Sequence, residues 1–210
     1  MSRRRRPKQG PRPRALREAD AVPMREAIVQ AASRCIVARG HAALSTRAVA
    51  TEAGVNQSLI HYYFGTKERL LAEVVRRDCD LRMVVIDAQL AGARSADDVL
   101  DGLVRSLKEM VVDDPTFITL IFELFSVSRR NGEIAAEFAE LLRRTREHVA
   151  GLLAAKQAEG VLRLHAPADA VADVLFSMAD GVSMRMLTER DRDFGPSVQA
   201  GVLAIRALID

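Results

Sequence analysis

Residues 44–71 read LSTRAVATEAGVNQSLIHYYFGTKERLL, and this stretch decides the fold. Ser45 is a good N-cap, and Val49, Ala50 and Ala53 form a small apolar face on the helix it opens. Gly54 supplies a left-handed position that ends that helix without a Cβ clash. After Val55, Asn56 caps a second helix of about two turns. Gly65 stops it, and Thr66 caps the next. Two short helices joined by a tight turn containing Gly form the helix-turn-helix pattern, whose second helix enters the DNA major groove. Each residue taken alone fits any helical bundle. Their joint register points to DNA binding.

The second helix divides into two faces. Ile60 and Phe64, four apart, turn inward with Val55, which leaves Gln57, Ser58, His61 and Tyr62 outward. Gln57 at the helix start suits a base edge, adenine being the usual bidentate partner of Gln. Leu59, expected to be exposed, would pack on a thymine methyl. The hydroxyls of Tyr62 and Tyr63 and the ring nitrogens of His61 suit phosphate oxygens, which position the helix without reading sequence. Lys67 follows near the duplex backbone.

This segment resembles the N-terminal domain of TetR-family transcriptional regulators. The matching residues are Ser45, Thr46, Arg47, Val49, Ala50, Ala53, Gly54, Val55, Tyr62, Phe64, Lys67 and Leu70. The match extends back through a first helix in which Ile28, Ala31, Ala32, Cys35 and Ile36 keep helical period before Gly40. Where the family often carries Tyr-x-His-Phe, this chain has His61, Tyr62, Tyr63 and Phe64. Both swapped positions keep a polar tip on an aromatic body, so the phosphate role is expected to survive. Taken together, Ser45, Thr46, Arg47, Asn56, Gln57, Ser58, Leu59, His61, Tyr62, Tyr63 and Lys67 are the candidate DNA contacts.

Composition and charge agree. The 210 residues hold 4% aromatics and no Trp, with recurrent helical periods and no convincing alternating strand, so an all-α chain of about nine helices is expected. Residues 1–20 carry eight Lys/Arg against two acids and residues 21–70 six against three, so the remainder is net acidic in a chain of net +3. Positive charge gathers at the DNA end, and a polyanion would repel the rest. No apolar run reaches transmembrane length, and nothing hydrophobic follows Arg3–Arg6 to make an export signal. Cytoplasmic location, free thiols at Cys35 and Cys79 and no membrane partner follow as expectations. Neither cysteine, nor His41, His61, His148 or His165, has metal-ligand spacing, so no metal and no cofactor is expected.

Three regions are expected: a basic arm over 1–22, disordered when free; a helix-turn-helix domain over 23–66; and a helical domain over 67–210. The arm reads either as a minor-groove or phosphate contact or as a solvated tail. Beyond Thr66 a long helix runs to about Leu90, with Leu70, Leu71, Val74, Val75, Leu81 and Val85 inward. Further helices are expected from Ser95 to about Val112, from Thr116 to Ser128 and from Asn131 to about Glu159. The last two, about Ala168–Leu187 and Pro196–Ile209, are apolar on more than one face and must bury both sides.

The resemblance implies a homodimer, a palindromic operator and a small-molecule effector of unknown identity, acting on a repressor without enzymatic activity or catalytic residues. A dimer interface is then expected at Val171, Val174, Leu175, Met178, Val182 and Met186 of the first of these helices, and at Val198, Val202 and Ile205 of the second. The other reading of the same residues is plain core. Candidate effector contacts are Phe117, Leu120, Ile121, Phe125, Phe138, Leu142, Phe176 and Met178, with Glu123, Arg146, His148 and Asp180 as polar partners; Met and Phe at helical spacing also suit any core. Two other classes remain. A helical enzyme lacks a nucleophile elbow, metal spacing or phosphate loop, and a nucleoid-type protein predicts no operator preference.

Overall fold

The computed structural model describes residues 18–40 and 44–210. The greater part of the expected N-terminal arm and His41 lie outside the described residues. Among those described there are nine α-helices: α1 (Glu18–Arg39), α2 (Thr46–Ala53), α3 (Gln57–Phe64), α4 (Lys67–Ala91), α5 (Ala96–Lys108), α6 (Thr116–Ser128), α7 (Gly132–Ala158), α8 (Ala168–Thr188) and α9 (Gly195–Arg206). The chain is all-α. Among the described residues, one departure from helical pairing is a β-bridge between Leu164 and Ile209. There α9 stops short of the end expected near Ile209, because the last residues turn back and hydrogen-bond to the backbone at Arg163 and His165.

Helix ends follow local chemistry. Ser95 caps α5 by accepting from the Asp98 amide, and Asn131 caps α7 by accepting from Glu133 and Ile134. After Lys108 the chain widens into one π-helical turn, Glu109–Asp113, before Pro115 admits α6.

The helices enclose two hydrophobic cores. The first gathers Ile28, Val49, Ile60, Phe64, Leu70, Val74, Cys79, Leu120, Leu124 and Phe138; the second gathers Ile86, Leu90, Leu100, Val149, Leu153, Val171 and Ile205. Helix α4 runs through both. Its buried residues are Leu70, Leu71, Ala72, Val74, Val75, Cys79, Ile86 and Leu90, whereas Leu81 and Val85, expected inward, are exposed. At about 100° per residue Leu81 and Val85 continue the row of Leu70 and Val74, which is covered where α1 packs on the first half of α4; farther along, only the row through Cys79, Arg82 and Ile86 meets other helices. Cys35 and Cys79 are buried free thiols, and burial pushes Cys79 up to about 12. None of the described helices is long and apolar enough to cross a membrane.

Candidate nucleic-acid interface and adjoining cavity

The turn between α2 and α3 is built by hydrogen bonds that the sequence chemistry supplies. Ser45 Oγ accepts from the Ala48 amide at 3.1 Å. At the other end Gly54 adopts φ 66°, its amide reaches the Thr51 carbonyl, and the Val55 amide reaches the Ala50 carbonyl. That pair closes a Schellman motif, which a side chain at position 54 would strain. Asn56 Oδ1 then accepts from both the amide and the hydroxyl of Ser58, so α3 starts in a fixed direction. Gly65 ends it with φ 70°, and Thr66 Oγ1 caps α4 by accepting from Arg69.

Ile60 and Phe64 are buried and hold α3 to the domain. Ser45, Arg47, Asn56, Gln57, Ser58, His61 and Tyr62 are exposed, and Thr46 is half-buried. Gln57 Nε2 donates to Thr46 Oγ1 at 2.7 Å, which ties the candidate base reader to the start of α2. His61 Nδ1 lies 3.1 Å from the Gly65 carbonyl, leaving its other nitrogen outward. Tyr62 is 78% exposed and meets Tyr63 edge-on at 5.2 Å.

Two expectations change here. Leu59 is half-buried and packs on the domain's core instead of standing free for a thymine methyl. Tyr63 is also half-buried against that core, and its hydroxyl is enclosed without a hydrogen-bond partner. A two-turn helix seated across its neighbours buries a wider arc than the alternation of one inward face suggests. Lys67, in the first turn of α4, is half-buried.

Between the two cores lies a cavity of about 550 Å³. Helix α4 contributes Cys79, Arg82, Met83 and Ile86, and the other walls come from α5 to α9 and the π-helical turn. Among the expected effector contacts, Phe117, Ile121, Leu142, Phe176 and Met178 line it, as do Arg146 and Asp180. Phe125 and Phe138 do not; their rings meet at 6.4 Å where α6 packs on α7, with Phe138 buried in the first core and Phe125 exposed. Leu120 and Glu123 are also absent from its walls, and His148 pairs with Asp87 at 2.7 Å. Arg82, Met83, Met110 and Leu103 line it and were missed; the inward position of Arg82 follows from the α4 stripe. Among the described residues no cluster of His, Cys, Asp or Glu could hold a metal ion.

The residues expected at a dimer interface divide in the structure. Val171 and Ile205 are buried in the protomer's own second core. Leu175, Met178, Val182, Val198 and Val202 face the cavity, and Met186 is half-buried. Only Val174 of the set is exposed, at 39%, and with it Met184 at 54% and Leu203 at 68%. Helices α8 and α9 pack on each other, on α7 and on α5. Two of their apolar stripes are therefore consumed within the chain and the third stays open.

Comparison with known proteins gives a consistent result. A family model described as bacterial regulatory proteins, tetR family, matches residues 28–74. A second, described as BetI-type transcriptional repressor, C-terminal, matches residues 96–209. The HTH-type transcriptional regulator BetI of Rhizobium meliloti (strain 1021) is 30% identical over 154 residues, which is 72% of this chain and 75% of that protein. A crystal structure of a putative transcriptional regulator from Rhodococcus sp. RHA1 superposes with TM-score 0.71 at 20% identity, covering 87% of this chain and 92% of that one. A putative transcriptional regulator from Saccharomonospora viridis in complex with choline superposes with TM-score 0.66 at 24% identity, covering 90% and 99%. At these identities the two structures show a shared fold.

Proposed function

This chain belongs to the TetR family of bacterial regulatory proteins and is a DNA-binding transcriptional regulator; from that premise we propose that it is a cytoplasmic homodimeric repressor which a small molecule releases from a palindromic operator. One observation carries the reading. Helix α4 is continuous from Lys67, immediately after the recognition helix, to the cavity wall at Cys79, Arg82, Met83 and Ile86. A ligand seated between the cores presses on the same helix that packs on α3 and shares the first core with Ile60 and Phe64 through Leu70, Leu71 and Val74.

The exposed apolar stripe of Val174, Met184 and Leu203 supports dimerisation through α8 and α9. Small residues between them, Gly181 and Ala200, permit close helix approach. A two-fold dimer presents two recognition helices to half-sites about one DNA turn apart, roughly 34–36 Å, so a palindrome follows from the symmetry. Effector binding changes that separation only if it favours one conformation over the other. The Saccharomonospora relative is known bound to choline. Choline would find carboxylates here, at Asp173 and Asp180, but would leave most of the cavity empty.

Selection of bound sequences from a random DNA pool, with full-length protein at physiological salt, tests the reading. An enriched palindrome bound by a protein that sediments as a dimer is the expected result. Uniform, salt-sensitive binding without enrichment would replace it with a nucleoid-type role. Operator affinity unchanged by every compound shown to bind the cavity would remove the switch.

A further inference from the structure

The walls of the cavity carry five charged side chains: Arg82, Arg143, Arg146, Asp173 and Asp180. Four are already matched. Arg143 is held by Glu140 and Glu147 on its own helix. Arg146 lies 3.5 Å from Asp173, which balances both. Arg82 stacks over the Phe117 ring at 4.2 Å, with Asp114 at 3.9 Å. Asp180 makes no hydrogen bond or ion pair among the described residues, and burial alone pushes its carboxyl up, with no neighbouring charge to oppose it. An uncompensated carboxylate facing an apolar space is unfavourable until a cation joins it.

The rest of the lining is apolar and adaptable. Met83, Met110 and Met178 are flexible thioethers that repack around irregular shapes. Leu103, Leu107 and Phe176 add area. Gly201 leaves room for Met178, whose Cε would lie 2.9 Å from a Cβ at that position. A space of about 550 Å³ is in the range that encloses a drug-sized molecule.

Resting on the reading of this cavity as the effector site, we propose that the effector is a bulky, predominantly apolar monocation whose charged centre pairs with Asp180. Aromatic or alkyl-rich amines and onium ions have this chemistry. Their apolar body replaces water along the methionine-lined walls, and their charge completes the one unmatched site. The enclosed Nε of Arg146, which lacks a partner, suits a neutral oxygen acceptor on the same molecule, since Asp173 already balances the guanidinium.

Titration calorimetry of the full-length protein with three probes separates the alternatives. Tetraphenylphosphonium and tetraphenylborate have nearly the same shape and opposite charge, and tetramethylammonium has the charge without the bulk. Tetraphenylphosphonium should bind at least about tenfold more tightly than either. Asp180→Asn should remove most of its advantage over the borate, and Asp180→Glu should retain it. Tighter binding of the borate would overturn the charge assignment while leaving the cavity as an effector site. Preference for tetramethylammonium would overturn the bulk requirement. If none of the probes binds, this inference falls, whereas the effector-site reading, which names no ligand chemistry, falls only by its own test of operator affinity. If Asp180→Asn alters the oligomeric state and not the affinities, Asp180 belongs to the subunit interface and the inference fails.

Discussion

The guanidinium of Arg25 on α1 lies 2.6 Å from the carboxylate of Glu73 on α4 and 5.2 Å from the centre of the Phe64 ring at the end of α3. One side chain therefore touches the recognition helix and the helix that walls the cavity. Arg76 shares the same carboxylate, and Glu26 with Arg77 forms a second pair between α1 and α4 at 2.6 Å. The DNA-binding head is fastened to α4 by crossed ion pairs as well as by core packing.

That fastening is pH-dependent. Burial raises the Glu73 carboxyl, but hydrogen bonds from Arg25 and Arg76 outweigh it and hold the group down at about 2. A depressed carboxyl contributes stability above its unfolded value near 4.5 and loses it as pH falls toward about 2. Both arginines are 41% exposed, so after solvent screening the contribution is about 1–2 kcal/mol. Thermal melts should show wild type losing this increment across that window, whereas Glu73→Gln starts lower and lacks it. Parallel curves for the two proteins would refute the assignment.

On the DNA face, Gln57→Ala should relax preference at one base position by roughly 1–3 kcal/mol. Thr46→Val, which frees Gln57 from its 2.7 Å tether, should weaken the same preference less. Competition binding against single-base operator variants measures both. Lys67→Ala should weaken all sequences about equally and reduce the salt slope by about one.

The two adjacent tyrosines should separate cleanly. Tyr62 is the exposed one, so Tyr62→Phe should lower affinity for every sequence by removing a phosphate donor. The enclosed hydroxyl of Tyr63 has no partner, and Tyr63→Phe should leave the protein as stable or up to about 1 kcal/mol more stable. A Tyr63→Phe protein that loses affinity as Tyr62→Phe does would show that Tyr63 turns toward DNA in the complex.

Neighbours on α9 should also part company. Leu203 is 68% exposed and Ile205 4%. Leu203→Asp should shift sedimentation from dimer to monomer while the protomer stays folded. Ile205→Ala should instead lower unfolding free energy by about 2–5 kcal/mol, as large-to-small core changes do. A Leu203→Asp protein that remains dimeric at micromolar concentration would remove α9 from the interface.

The readings that held concern chemistry confined to a few consecutive residues. Caps at Ser45, Asn56, Thr66 and Ser95 accept amide hydrogens within their own turn. Gly54 needs its left-handed backbone whatever packs around it. Local rules govern local bonds, and the register of the helix-turn-helix was legible for that reason. Leu81, Val85, Leu59 and Tyr63 went otherwise because an apolar or amphipathic side chain suits several faces, and only the neighbouring helices choose among them.

The amino-acid sequence by itself determined an all-α chain, the limits of most of its helices to within a few residues, and a helix-turn-helix head of the TetR family, since hydrophobic period, capping side chains and glycine conformation act over one or two turns. The tertiary structure alone decided which stripe of α8 and α9 enters the core, which lines the cavity and which stays open. It also decided that Asp180, one acidic residue among many, is the cavity's unmatched charge. Those outcomes depend on helices distant in sequence arriving side by side, where burial and charge balance are properties of the assembled neighbours and not of any single segment.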